Sequence, residues 1–346
     1  MSELERLSAP LPYLYGSPSV SGVIRQSVED FIVEEDLGFE PDGEGHHVLL
    51  FIEKRDTNTQ WLAKQLARYA ELPVMEVGYA GLKDRHAITR QWFSVHLAGR
   101  DIDWQAFNSE HWNILNITRH QKKLRPGYLR GNHFQIVVRD LEGNLETLNP
   151  RLEMIKQHGF SNYFGEQRFG FDNLKRAYAW LSGELKIKKK SEKSLLLSSL
   201  RSALFNQLLA RRIEQGSWNT PLEGDVMMLS GSHSVFSPTR IDEDIKQRLA
   251  ERDIVLTAPL YGKGKNLAHS HALTMENDFF EQFPDVCQRL RQAGMTAGRR
   301  TISVIPAGLS WQLNSSARTL QLSFSLTAGS YATCLLRDAV RTERSK

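Results

Sequence analysis

The chain has 346 residues, 40% of them hydrophobic and 24% charged, with a formal net charge of +4. That length buries one large core or two, and the balance excludes a disordered, fibrous or strongly nucleic-acid-like basic chain. No apolar run reaches the length of a membrane span, the start Met1-Ser-Glu-Leu-Glu-Arg6 carries no export signal, and Cys287 and Cys334 lie far apart, so we expect a cytoplasmic protein with two packed thiols.

Read from the N-terminus, the chain first shows an acidic segment: Glu29, Asp30, Glu34, Glu35, Asp36, Glu40, Asp42 and Glu44. Val48 to Ile52 is an apolar run with the look of a buried strand. Thr57-Asn-Thr-Gln60 has the spacing of a capping box with Thr57 as N-cap, and Trp61, Leu62, Leu66 and Ala70 continue at helical spacing until Pro73. Further strands are expected at Trp92 to Leu97, at Phe134 to Val138 and at Leu320 to Leu326. The last breaks at Ala328-Gly-Ser330 into a helical pattern that Ser330 is placed to cap. Between about Gly159 and Val304 the pattern turns mainly helical, notably over Ser198 to Gln215, with short strand candidates at Val226 to Leu229 and Ile254 to Thr257. This change of character predicts a second domain inserted into the first.

The stretch Gly78-Tyr-Ala-Gly-Leu-Lys-Asp-Arg-His-Ala-Ile-Thr-Arg-Gln-Trp92 sets one acid, Asp84, among Lys83, Arg85, His86 and Arg90. A carboxylate beside cations stays ionised at neutral pH, and an ionised, positioned carboxylate can act as a nucleophile. The cations would also draw in a polyanion. An ordinary surface salt-bridge cluster accounts for these residues equally well, and such clusters are individually worth little. Basic knots at Arg119 to Arg130 and Lys186 to Lys193 strengthen the case for a polyanionic partner.

Other signatures are missing. Gly262-Lys-Gly-Lys-Asn266 has the flavour of a phosphate loop without Walker spacing, and no Gly-x-Gly-x-x-Gly follows a strand. His46-His47 and His269-Ser-His271 lack a Cys, Asp or Glu set at ligand spacing, so no metal is expected. Phe31, Phe134, Tyr163-Phe164 and Tyr331 sit beside glycine breaks, Asn or Arg. One such aromatic is normally core; several of them suit the stacking of an unpaired base.

The Asp84 segment resembles the signature of the TruD family of tRNA pseudouridine synthases. So do Val28-Glu-Asp-Phe-Ile-Val-Glu-Glu35, Asp36-Leu-Gly-Phe-Glu-Pro-Asp-Gly-Glu-Gly45, Thr57-Asn-Thr59, Gly131-Asn-His-Phe134, Asn162-Tyr-Phe-Gly-Glu-Gln-Arg-Phe-Gly170, Arg201-Ser-Ala-Leu-Phe-Asn-Gln207 and Ala328-Gly-Ser-Tyr-Ala-Thr333. The resemblance implies an α+β fold: a catalytic domain of the pseudouridine-synthase type with a mixed, mainly antiparallel sheet (residues 1–156 and 305–346), interrupted by an α/β TRUD domain (residues 157–304). It implies conversion of uridine-13 in the D arm of tRNA to pseudouridine, by a monomer without cofactor or metal. By the same match Asp84 is the catalytic residue, acting as nucleophile on sugar or base or as a base toward the sugar. Phe31 and Phe134 line the uridine pocket, Asn132 orients groups there, and Tyr331 stands at a position usually aromatic. Lys83 and Arg85 hold Asp84 and bind flanking phosphate, and Arg25 takes a place that some relatives fill with Lys. On the residues alone, a catalytically silent RNA-binding protein and another phosphate-substrate enzyme, such as a phosphodiesterase with a metal or a His pair near the acid, remain as rivals.

Overall fold

The computed structural model describes residues 2–344 except 98 and 171. The chain divides into two compact units, one of residues 18–157, 305–332 and 339–346, the other of residues 1–17, 158–304 and 333–338.

The first unit is built on a ten-stranded sheet. Its path runs Ala307–Asn314, Thr319–Thr327, Gly131–Gly143, Phe31–Asp36, Ile88–His96, His47–Arg55, Trp112–His120. Val20–Ile24 pairs with Gly131–Gly143 and with Arg341–Arg344, and Val77–Tyr79 adds to Ile88–His96. Pairing is antiparallel except between Phe31–Asp36 and Ile88–His96 and between Val20–Ile24 and Arg341–Arg344. The sheet is therefore mixed and mainly antiparallel. Helix Thr59–Tyr69 lays Leu62, Ala63, Leu66 and Ala67 against Leu50, Ile52, Phe93 and Val95. Leu62 and Leu66 are fully buried, each adding about 1.5–3 kcal/mol of burial energy.

The last helix starts at Ala332, which leaves Ser330 one residue ahead of the cap position. The other strand and helix readings hold, with two further local differences, the first at helix Thr59–Tyr69. The helix is capped by Asn58, not Thr57: the Asn58 side chain accepts from the N–H groups of Gln60 and Trp61. The chain leaves the preceding strand through Asp56 at φ +42°, which delays the helix start by one residue. The second difference is Val77–Tyr79, a three-residue strand that pairs with Ile88–His96 and makes residues 80–87 a hairpin loop. Three residues, one of them glycine, carry no readable period.

The second unit holds a four-stranded sheet in the order Val235–Phe236, Met227–Leu229, Ile254–Leu260, Gly298–Thr301. Its longest helix, Lys190–Glu214, buries Leu196, Leu200, Leu204 and Leu208 at four-residue intervals. Near that helix's end Arg212 makes a fully buried bidentate pair with Asp225, Nη1 to Oδ1 at 2.6 Å and Nη2 to Oδ2 at 2.8 Å. Cys287 and Cys334 are free and buried, and burial pushes both thiols up to about 12. No helix among the described residues is long and apolar enough to cross a membrane.

Candidate active site

Asp84 sits in the 80–87 loop, and the loop is pinned from beneath. Lys54, at the buried end of His47–Arg55, donates from Nζ to the Thr57 carbonyl at 2.6 Å and to the Asp84 carbonyl at 3.2 Å. The Lys83 N–H donates to Thr59 Oγ1 at 3.1 Å; that hydroxyl in turn donates to Gln91 Oε1 at 2.9 Å, and Gln91 Nε2 reaches the Gly81 carbonyl at 3.3 Å. The Lys83 ammonium forms a buried ion pair with Glu35, whose other oxygen accepts the Trp92 N–H at 3.1 Å. Lys54 has no exposed surface, and its pKa falls from 10.5 to about 8, chiefly through burial; Asp84 opposes the shift and Lys83 adds to it.

The cation on the Asp84 carboxylate is Arg25, with Nη2 3.0 Å from Oδ2 and side-chain exposures of 12% and 28%. The neighbours along the chain pair elsewhere: Lys83 with Glu35, Arg85 and His86 with Asp56, Arg90 with Glu34 and Glu53. The expected collar around Asp84 is thus largely spent on other carboxylates. Arg25 reaches its place through local geometry. A β-bulge between Ser21 and Val23 brings Gly22 so close to Gly131–Gly143 that an added Cβ would lie 2.6 Å from Val138 Cγ1. Arg25 follows at φ +61°, a left-handed conformation that costs a non-glycine residue about 1–3 kcal/mol. Its guanidinium lies over the Phe31 ring at 4.2 Å.

Strand register gathers the remaining residues on one face. Phe31 pairs with Ile136, Val33 with Phe134, Glu35 with Asn132; beyond them Phe324 pairs with Phe134 and Leu326 with Asn132. Directly opposed residues share a face. The Phe31 and Phe134 rings meet edge-on at 6.3 Å, and Phe134 stacks on Phe324 at 5.4 Å. Phe31 is buried beneath Arg25, while Phe134 is 7% exposed. Gly131 lets the Asn132 backbone close on its neighbour strand, since a Cβ there would stand 2.2 Å from the Leu326 carbonyl oxygen. Asn132 Oδ1 is buried without a hydrogen-bond partner among the described residues. Tyr331, half-buried, leaves the sheet beyond the turn whose Ala328 N–H is held by the Arg130 carbonyl.

Lys54, Glu35, Thr59, Gln91 and Phe324 were not picked out from the sequence. Two of them carried a signal. Lys54 continues the inward series Leu50, Ile52, and Glu35 continues Phe31, Val33; a charge at inward parity needs a buried partner. As for the histidines, the His47 ring lies 4.9 Å from that of His96, and burial lowers its pKa. Among the described residues no group of three or more His, Cys, Asp or Glu could hold a metal ion.

Fold and site together describe a mixed-sheet protein presenting an arginine-paired aspartate on a pinned loop. Residues 11–193 and 172–339 match the family model for tRNA pseudouridine synthase D (TruD). The chain is 42% identical to the tRNA pseudouridine synthase D of Aeromonas hydrophila, over 97% of this chain and 95% of that one. It is 43% identical to that of Methylococcus capsulatus, over 95% and 94%. The fold is that of a crystal structure from Methanosarcina mazei assigned to the same TruD description, at a TM-score of 0.72, 22% identity and 98% coverage of both chains. The chain belongs to the tRNA pseudouridine synthase D family.

Proposed function

We propose that this chain isomerises uridine to pseudouridine in tRNA, at position 13 of the D arm, with Asp84 as its catalytic residue. The observation that carries the reading is the Asp84–Arg25 pair, held at 3.0 Å on a loop that three hydrogen bonds and the buried Lys83–Glu35 ion pair fasten in place. The reaction breaks the bond from ribose C1′ to uracil N1, turns the base, and joins C5 to C1′. The C5–H bond is lost and an N1–H bond gained as the C1′–N1 bond gives way to C1′–C5, with no net oxidation or reduction, so the chemistry calls for no redox cofactor. A flipped uridine, whose unstacking costs about a few kcal/mol, would meet the carboxylate of Asp84 at the sugar–base junction.

In this reading Arg25 orients the carboxylate and Phe31 supports Arg25 from below. Phe134 and Tyr331 supply apolar walls. The buried Asn132 oxygen, which has no partner among the described residues, would accept an N–H of the base. Lys83 serves by anchoring the loop through Glu35, and Arg85, exposed, is the better placed of the two for a flanking phosphate. Residues 1–156 and 305–346 are the catalytic domain and residues 157–304 the TRUD insertion, working as a monomer in the cytoplasm. The test is Asp84→Asn with chemical mapping of pseudouridine in a tRNA transcript. Product should vanish while tRNA affinity stays within several-fold; full activity would sink the assignment.

A further inference from the structure

In the unit that holds residues 158–304, two arginines share one helix face without a carboxylate. The segment around Phe164 is tied to Lys190–Glu214 by Asn206, which accepts from the Phe164 N–H at 2.8 Å and donates to its carbonyl at 3.0 Å. Ser199 Oγ donates to the Arg168 carbonyl at 3.1 Å. These hydrogen bonds lay the Arg168 guanidinium across Ser198 and Ser202, with Nε 3.3 Å from Ser202 Oγ and Nη2 bonded to Ser198 Oγ. Residues four apart stand one above the other on a helix, and Arg201 leaves the same face between them. Its Nη1 donates to the Thr296 carbonyl at 3.1 Å. Burial, and then the nearby charge of Arg168, lower the Arg201 pKa from its ordinary value. Among the described residues neither guanidinium forms an ion pair; every hydrogen-bond acceptor they have is neutral.

The phosphate-like loop Gly262-Lys-Gly-Lys265 joins them through the same residue. Lys263 donates its N–H to the Met295 carbonyl at 2.6 Å and accepts from the Ala297 N–H at 2.7 Å, either side of the Thr296 that holds Arg201. Gly262 is pressed so close that a Cβ would lie 2.3 Å from the Met295 oxygen. Lys263 and Lys265 are exposed, and neither forms an ion pair among the described residues.

Like charges held together in partly desolvated positions are costly unless an anion joins them. We infer that Arg168, Arg201, Lys263 and Lys265 form a binding site for consecutive phosphodiesters of an RNA strand, a site that fixes the RNA without reading its bases. The inference rests on the reading that the substrate is a tRNA.

The experiment titrates tRNA transcript against the full chain at several salt concentrations, for wild type, Arg168→Gln/Arg201→Gln and Lys263→Gln/Lys265→Gln. Each phosphodiester deprived of its cation should flatten the slope of log affinity against log salt by about 0.7–1. Affinity for a transcript whose target uridine is replaced by cytidine should fall by the same factor, because binding to phosphate carries no sequence information. Unchanged slopes, in the lysine variant or in an arginine variant with wild-type thermal stability, would overturn the site. So would a loss confined to the uridine-containing transcript. The lysine pair lies on an exposed loop, so its result stands even where the arginine variant unfolds. Binding needs no turnover: wild-type protein that shows the expected slopes yet converts no uridine would refute the proposed activity and leave this site standing.

Discussion

Lys54→Met removes one ammonium from under the Asp84 loop while keeping an unbranched apolar stem. Two effects oppose each other. The depressed pKa, 10.5 to about 8, means that burying the charge costs roughly 3 kcal/mol at neutral pH, which methionine relieves. Methionine also leaves the Thr57 and Asp84 carbonyls without their donor, at about 1–3 kcal/mol each. The two nearly offset, so the variant should fold. Between about pH 8 and 10.5 the folded wild type has shed a proton that the unfolded chain still holds, so wild-type stability rises across that window relative to the variant, by up to roughly 3 kcal/mol. Denaturant unfolding of both proteins at pH 7.5 and pH 10 measures the difference. Turnover should fall far more than stability, since a loosened Asp84 carboxylate is no longer aimed, and displacement of a reacting group by about 1 Å can cost on the order of a hundred-fold. A variant with wild-type kcat, or a stability difference that does not change with pH, would refute this account of Lys54.

Glu35→Gln strands the buried Lys83 ammonium and should destabilise the chain by about 3–5 kcal/mol, read as a lowered denaturation midpoint; an unchanged midpoint would show the pair to be dispensable. Asn58→Ala deletes the observed helix cap and should cost about 1 kcal/mol, whereas a Thr57 variant should leave the cap intact because that hydroxyl donates to the Arg55 carbonyl. Arg25→Lys keeps the charge but loses the planar stacking on Phe31, so kcat should drop with little change in tRNA affinity; equal kcat would reduce Arg25 to a bystander.

The strands at Val48 to Ile52, Phe134 to Val138 and Leu320 to Leu326 were legible because their period is local. The Asp84 loop was legible as chemistry but not as geometry. Its ion-pair partner lies far back in the chain, brought in by a bulge and a left-handed residue that leave no periodic trace. The neighbouring cations look available in sequence because their own carboxylates come from Glu34, Glu35, Glu53 and Asp56, three of them on strands paired only in three dimensions. The Thr57 capping pattern pointed to the right helix and the wrong residue. Lys54 and Glu35 show what parity alone can reveal: a charge at an inward position marks a buried pair, while the identity of its partner waits for the sheet register.

The acidic stretch of the first unit bears on how an RNA would approach. Glu29 is matched by Arg55, Asp30 by Arg139, Glu34 by Arg90, Glu35 by Lys83 and Asp36 by Arg130, and Asp42 lies against His120. Read as letters, the segment is a wall of negative charge. Folded, five of the segment's eight carboxylates have an arginine or lysine a few ångströms away, and beyond about 10 Å at ordinary salt such dipoles leave little field. An incoming phosphate chain would therefore meet a much weaker barrier there than the letters suggest, and changes that strip away Arg55, Arg130 or Arg139 should slow tRNA association without touching the residues that perform the chemistry.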